Sequence, residues 1–310
     1  MRNAFADEVF KIAQEDDRLI LLSGDIGNKL FDKFKTLGHS RFFNCGVAEA
    51  NMMGVAAGMA LSGLRPFVYT ITPFTTTRCY EQIRVDVCYH NAPVVIVGTG
   101  SGLSYADLGP THHSLEDIAI LRALPGMQVF APCDTTELRL CLRETLSQNS
   151  PAYIRIGKKG EPLIHQSAPA FKIGRALVIR PGSDVALLCA GNMMAETIKT
   201  ADMLSDVGVS AEVTSFHTIK PLDKEYLASL AQRVKLIVTI EEHGCIGGFS
   251  SAVAEWRSMA QANIDHLFIG IDDVFMHEVG SQQYAREKFG LTAQNIVNKI
   301  NQKLNLKQAK

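Results

Sequence analysis

Short apolar runs alternate with longer amphipathic stretches along almost the whole chain. The first stretch places Phe5, Val9, Phe10 and Ile12 at helical spacing. The continuous apolar run at 19–22 that follows has the pattern of a strand buried on both faces. Runs at 42–44, 67–71, 94–97, 129–131 and 152–156 predict further strands, with helices over 76–90, from Ser114 and from Asp134 between them. Beyond 157 the alternation dissolves into Gly, Lys, Pro and polar residues. It resumes with apolar runs at 176–179, 185–189, 211–215, 236–240 and 267–271, and the tail from Thr292 reads as a helix that grows basic. Strand–helix alternation on both sides of such a gap predicts the α/β class, with two doubly wound domains at 1–160 and 175–310 joined by a linker at 161–174. In doubly wound sheets ligands gather beyond the carboxyl ends of the strands, so those loops are where chemistry is sought.

One of these loops leads into an unusual helix. Glu49 heads the segment Glu49-Ala50-Asn51-Met52-Met53-Gly54-Val55-Ala56-Ala57-Gly58, which is otherwise small and largely apolar. A carboxylate in such surroundings is costly unless a donor reaches it or it keeps its proton. The helix dipole also favours an acid there, so Glu49 taken alone fits either a functional acid or an ordinary first-turn residue. Ala50, Gly54, Ala57 and Gly58 form a small-residue face along which another backbone can come close.

Composition narrows the classes. The 310 residues, 46% hydrophobic and 20% charged, have room for two soluble globular domains. A formal net charge of -1 speaks against a nucleic-acid or anionic-membrane surface. The seven cysteines are odd in number and scattered, without paired metal-ligand spacing, which predicts free thiols in a reducing compartment and no metal site of the chain's own. The chain opens on an amphipathic helix rather than on a basic segment followed by an apolar one. Its most apolar window, 47–64, is interrupted by Glu49 and Asn51. Neither a leader nor a membrane span is therefore expected, and a cytoplasmic location is.

The loops at 23–29, 72–80 and 98–113 add candidate chemistry. On residue type alone, His112 and His113 fit solvated loop histidines as well as a site pair, Phe74 and Tyr80 fit ordinary core, and Asp25 fits a turn. The glycine-rich loop 98–113 has neither the G-x-G-x-x-G fingerprint nor a P-loop lysine, so a nucleotide is poorly supported.

Taken jointly, the motifs say more. Gly46-Val47-Ala48-Glu49, the 74–80 segment followed by Glu81-Gln82-Ile83-Arg84, and Gly109-Pro110-Thr111-His112-His113 occur in order. Pro221-Leu222-Asp223, Thr239-Ile240-Glu241-Glu242-His243 and Gly247-Gly248-Phe249 follow them. The set resembles the pyrimidine-binding and C-terminal domains of transketolase and 1-deoxyxylulose-5-phosphate synthase, and the resemblance covers nearly the whole chain. It implies a thiamine-diphosphate pyrimidine-binding domain followed by a transketolase C-terminal-like domain. Glu49 is then the catalytic acid, sharing a proton with the aminopyrimidine so that the thiazolium carbon loses its own. Phe74 and Tyr80 wall the aminopyrimidine, and Asp25 lies near the thiazolium. His112 faces the reacting carbon and bonds hydroxyl or oxyanion groups of the donor. Lys158 stands where the family uses an arginine on substrate phosphate, keeping the charge without the planar fork, and Arg2 is a weaker substrate-side match.

The departures carry information too. The family's Gly-Asp-Gly motif with a downstream Asn, which grips the diphosphate through Mg²⁺, does not occur in these residues. Gly24-Asp25-Ile26-Gly27-Asn28 matches neither its sequence nor its place. The resemblance then implies a partner chain, a diphosphate-binding transketolase N-terminal subunit, that holds most of the Mg²⁺ and diphosphate. This chain becomes the small subunit of a split transketolase, self-associating through its C-terminal domain into a heterotetramer. Thr99-Gly100-Ser101 replaces a basic residue of the family, which leaves the sugar substrates open, nucleotide-linked keto-sugars included. The β subunit of a 2-oxo-acid dehydrogenase and a non-catalytic assembly subunit that keeps the fold remain as alternative readings.

Overall fold

In the computed structural model, which describes residues 1–27 and 29–304, each series of apolar runs forms a sheet. The first contains β1 (Leu19–Ser23), β2 (Phe42–Asn44), β3 (Arg65–Ile71), β4 (Val95–Thr99), β5 (Gln128–Phe130) and β6 (Ala152–Ile156). The second contains β7 (Leu177–Arg180), β8 (Val185–Ala190), β9 (Ala211–Ser215), β11 (Leu236–Gly244) and β12 (Asp265–Ile271), in the order β12-β11-β8-β9-β7. β10 (Thr218–Lys220) leaves the second half of the chain and joins the first sheet, whose order is β10-β5-β6-β4-β3-β1-β2. All neighbours are parallel except β10 with β5 and β7 with β9. The continuous runs of β1, β4, β6 and β8 are buried along their whole length, as helices on both faces of a parallel sheet require.

The structure redraws three of the expected elements. The single helix expected over 76–90 is a 3₁₀ turn at Thr77–Cys79, one α turn at Tyr80–Gln82 and a π-helical stretch at Ile83–Tyr89. The hydroxyls of Thr75, Thr76 and Thr77 turn back onto the carbonyls of Thr72 and Pro73, closing a separate Thr72–Thr75 turn and delaying the helix. The helix expected from Ser114 starts at Asp117, because Ser114 is paired with Gly102 and the Asp117 carboxylate turns inward. β11 runs on through Glu241, Glu242 and His243, all fully buried. The helix expected from Thr292 forms at Ala293–Lys303, whereas the last residues of that tail, 305–310, and Asn28 lie outside the described residues.

Apolar packing crosses from one sheet to the other. Met52, Met53, Val68 and Ile96 belong to the same buried cluster as Ala186, Phe249 and Trp256. Among the described residues, no helix is long and apolar enough to cross a membrane.

Candidate functional site

Five adjacent strands of the first sheet, β6, β4, β3, β1 and β2, point their carboxyl ends to one edge, where most of the candidate residues gather. Glu49 is the first residue of the Glu49–Leu61 helix that follows β2, and it is only 4% exposed. Its required donor is Arg78, whose Nη1 lies 2.7 Å from Oε2. The same guanidinium lies over the Phe74 ring, 4.2 Å from its centroid. The Cys79 thiol is pushed up to about 12, by burial first and then by the charge of Glu49, and so stays protonated. Beneath Glu49 the strand ends approach closely. A Cβ on Gly24 would lie 2.8 Å from Thr70 Oγ1 and 3.7 Å from Glu49 Oε1, so the position takes no side chain without displacement. Thr70 Oγ1 is itself buried without a hydrogen-bond partner among the described residues.

From Phe74 the site continues as a row of contacts. The His112 ring lies 5.2 Å from Phe74 and 5.8 Å from Tyr105, edge-on to both. Lys158 Nζ lies 4.3 Å from the Tyr105 centroid and bonds Asp107 at 3.2 and 3.3 Å. Burial lowers the His112 pKa, with Asp107 acting against it and Lys158 with it, so the ring is neutral near pH 7. Its Nδ1 pairs with the Thr111 hydroxyl at 2.9 Å. His113 points elsewhere: it is buried, its Nε2 has no partner among the described residues, and burial lowers its pKa as well. The histidine pair thus divides into one ring in the row and one beneath the loop.

The other expected residues are distributed around this row. Asp25 is exposed in the turn after β1, with Oδ1 accepting from Asn44 Nδ2 at 3.2 Å and its N–H donating to Gly46 O. Arg2, at the start of the Arg2–Glu15 helix, donates from Nε to Tyr69 Oη at 3.2 Å. With Lys29, Lys158 and Lys159 it lines a cavity of about 600 Å³ beside the row. Tyr80 is not brought to the Phe74 face. Its ring packs on the core and its hydroxyl donates to Ile120 O at 3.0 Å, and Arg78 takes the place beside Phe74.

Sequence reasoning missed Arg78 and Tyr105. The available signal for Arg78 was a cation four residues after Phe74, close to an acid in need of a donor. Cys133, Glu137 and His165 bring three metal-type donor atoms within 4.8 Å of one another past the end of β5. Glu137 there already accepts from Cys133 N–H at 2.7 Å and pairs with His165 Nε2 at 2.9 Å, so hydrogen bonds account for the cluster.

Comparison with known proteins matches the two halves of the chain, in order, to two domain families. Residues 1–161 match the family model of the transketolase pyrimidine-binding domain, and residues 174–296 that of the transketolase C-terminal domain. The 6-deoxy-6-sulfo-D-fructose transketolase subunit of Clostridium sp. (strain MSTE9) is 37% identical over 96% of this chain and 92% of its own length. An apulose-4-phosphate transketolase subunit of Phocaeicola vulgatus is 32% identical over 88% of this chain and 87% of its own. A solved split-gene transketolase, described as an inactive β4 tetramer, superposes with a TM-score of 0.90 at 36% identity, covering 99% of both chains. With both domain models matched in order and full-length relatives of this kind, the chain belongs to the transketolase family.

Proposed function

We propose that this chain is the pyrimidine-binding subunit of a two-chain, thiamine-diphosphate-dependent transketolase that moves a two-carbon ketol unit between sugars. The observation that carries the reading is the row itself: a buried Glu49, the Phe74 face beside it and His112 beyond, on adjacent strand ends of one sheet.

The residues present fit the cofactor. Between the Glu49 carboxylate and the Phe74 ring lies the guanidinium of Arg78, a flat group that donates N–H to the acid and stacks on the ring. An aminopyrimidine that carries the proton it shares with Glu49 makes the same two demands, an acceptor for its ring N–H and an aromatic face. Arg78 is 43% exposed at its side chain and is free to swing toward solvent when such a ring enters. When bound, thiamine diphosphate supplies a nucleophilic carbon able to break and re-form a bond next to a carbonyl. The protein's own contribution is positional and acid–base. Glu49 exchanges a proton at the aminopyrimidine edge, in a dry corner where a charge-assisted hydrogen bond is strong. His112, neutral near pH 7, donates or accepts at a substrate hydroxyl without adding charge. The cationic cavity beyond Lys158 suits a sugar with an anionic group. The names of two relatives, one carrying a sulfo group and one a phosphate, support that class.

The diphosphate and its Mg²⁺ fall to a second chain in this reading. The Gly-Asp-Gly motif does not occur in these 310 residues, and two relatives of similar length are named as subunits. The β-only tetramer of the solved relative is described as inactive. Exposed Val47, Val55 and Leu61 around the Glu49 helix, with open space beside Gly58, support a covering surface there.

The expected result is weak calorimetric binding of thiamine diphosphate with Mg²⁺ by the isolated chain, and tight binding once the diphosphate-binding subunit is added. Glu49→Gln leaves assembly intact and abolishes exchange of the thiazolium proton. Tight binding by the isolated chain removes the two-chain reading. Undiminished exchange in the variant removes Glu49 from its role.

A further inference from the structure

The buried carboxylate of Glu242 belongs to the second sheet but serves the first. From the far end of β11, its Oε1 accepts from the backbone N–H of Leu103 at 2.8 Å. Asn192 Nδ2 at 3.1 Å and Gln282 Nε2 at 2.9 Å reach the same oxygen, and Arg286 Nε closes on Oε2. This is a saturated anion: among the described residues every donor around it is fixed on the C-terminal domain except one, and that one lies in the other domain.

The exception sits at the neck of the loop that carries His112. Gly102 and Ser114 exchange both backbone hydrogen bonds, at 3.1 and 3.0 Å, and so close the loop 102–114. Gly102 has φ +64, and a Cβ on it would stand 2.4 Å from Glu242 Oε1, so the approach of the carboxylate to this neck depends on glycine. Two further ties come from the same domain. Gly280 N–H donates to Ala106 O at 3.3 Å, and Gln282 Nε2 reaches Ser104 Oγ at 3.4 Å. Beneath the neck, Arg155 Nη2 reaches both Ser114 O and Glu242 O. Among the described residues the His112 ring has only its neighbour Thr111 as a hydrogen-bond partner, so the backbone of the loop, together with the edge contacts to Phe74 and Tyr105, decides where the ring stands.

We propose that Glu242 is a positioning residue for the reaction. Through Leu103 and Gly102 the C-terminal domain fixes the 102–114 loop, and with it the place of His112 against Phe74. A charge-assisted hydrogen bond in a fully buried setting is among the strong contacts a loop can have. A displacement of about 1 Å at a reacting group costs up to roughly a hundredfold in rate. The proposal assigns a catalytic consequence to a domain otherwise credited with assembly, and it rests on the role given to His112 under the proposed function.

Two variants test it from opposite sides of the contact. Glu242→Gln removes the charge, and Gly102→Ala pushes the neck away while leaving the charge in place. In hydrogen exchange on the full chain, both are expected to raise the exchange of amides 103–113 about tenfold or more, with β1, β4 and β8 unchanged. In the two-chain holoenzyme, Glu242→Gln is expected to lower kcat about tenfold with a smaller change in KM, and to cost nothing further in a His112→Asn background. Unchanged exchange of 103–113 in both variants overturns the clamp. Additive losses in the double variant overturn its action through His112. A fully active His112→Asn overturns the role of that histidine, and the exchange data then still decide whether the C-terminal domain holds the loop.

Discussion

Glu49 and Arg78 form a half-buried ion pair of 2.7 Å at the edge of the first sheet, and the two members differ sharply in setting. The acid is enclosed; the arginine reaches it from solvent across Phe74. Removing the arginine therefore leaves an enclosed carboxylate without its side-chain donor, which costs about 1–3 kcal/mol. Arg78→Ala is expected to destabilise the ligand-free protein accordingly. An aminopyrimidine that takes up the shared proton supplies both a donor and a flat face at the same corner, so in the two-chain assembly the variant is expected to gain more thermal stability from thiamine diphosphate than the wild type does. Thermal melts with and without the cofactor and Mg²⁺ read this directly. Equal gains mean that Arg78 does not stand where the ring goes.

At the scale of elements, the segment after β6 that carries Ile164 and His165 is pinned by one helix start. Asp134 caps the Thr135–Ser147 helix, with Oδ1 accepting from the N–H groups of Thr136 and Glu137. Its Oδ2 accepts from Ile164 and His165 N–H at 2.9 Å each. The His165 ring then meets Glu137, and that hydrogen bond raises the histidine pKa above its ordinary value. A raised pKa means the charged contact contributes fully below about pH 6.5 and fades as pH rises through the folded-state value. The stability gap between wild type and His165→Gln is therefore expected to be widest near pH 6, on the order of 1 kcal/mol, and to shrink by pH 8. Denaturant melts at the two pH values measure it. A gap that grows with pH contradicts the assignment. The same elements show what the residue pattern conveys and what it conceals. Strands such as β1, β4 and β8 are legible because burial on both faces leaves an unbroken apolar run. β10 is three residues long and pairs at an edge, too short to show a period. The end of β11 reads as a polar loop because Glu241, Glu242 and His243 are charged or titratable. Their partners, Ser250 and Phe249 N–H, Leu103 N–H, Arg286 and Ala119 N–H, come from elsewhere in the fold. In the site, Glu49, Phe74 and His112 stood out through motifs. Arg78 and Glu242 acquire meaning only from what they touch.

At the scale of the molecule, the two sheets are joined by polar contacts as well as by apolar packing. Arg155 of β6 and Asp117 are both enclosed. They meet through Nε at 2.8 Å and Nη2 at 3.1 Å, Tyr153 Oη adds a bond at 2.5 Å, and the guanidinium goes on to Glu242 O of β11. Nearby, Lys220 Nζ bonds Arg122 O and Leu124 O, and Arg122 Nε bonds Gly247 O. With β10 inserted at the edge of the first sheet, neither half can leave the other without exposing charge and breaking a strand pair. A single cooperative unfolding transition is the expected consequence for the full chain. Asp117→Ala strips the partner from an enclosed arginine and is expected to cost about 3–5 kcal/mol, because the penalty is the unpaired charge rather than the worth of the pair. Asp117→Leu combined with Arg155→Met removes both charges and is expected to recover most of that loss. Calorimetry decides between the accounts. A double variant as unstable as the single one places the energy in the pair's own geometry, and two separated transitions in the wild type show that the halves fold independently.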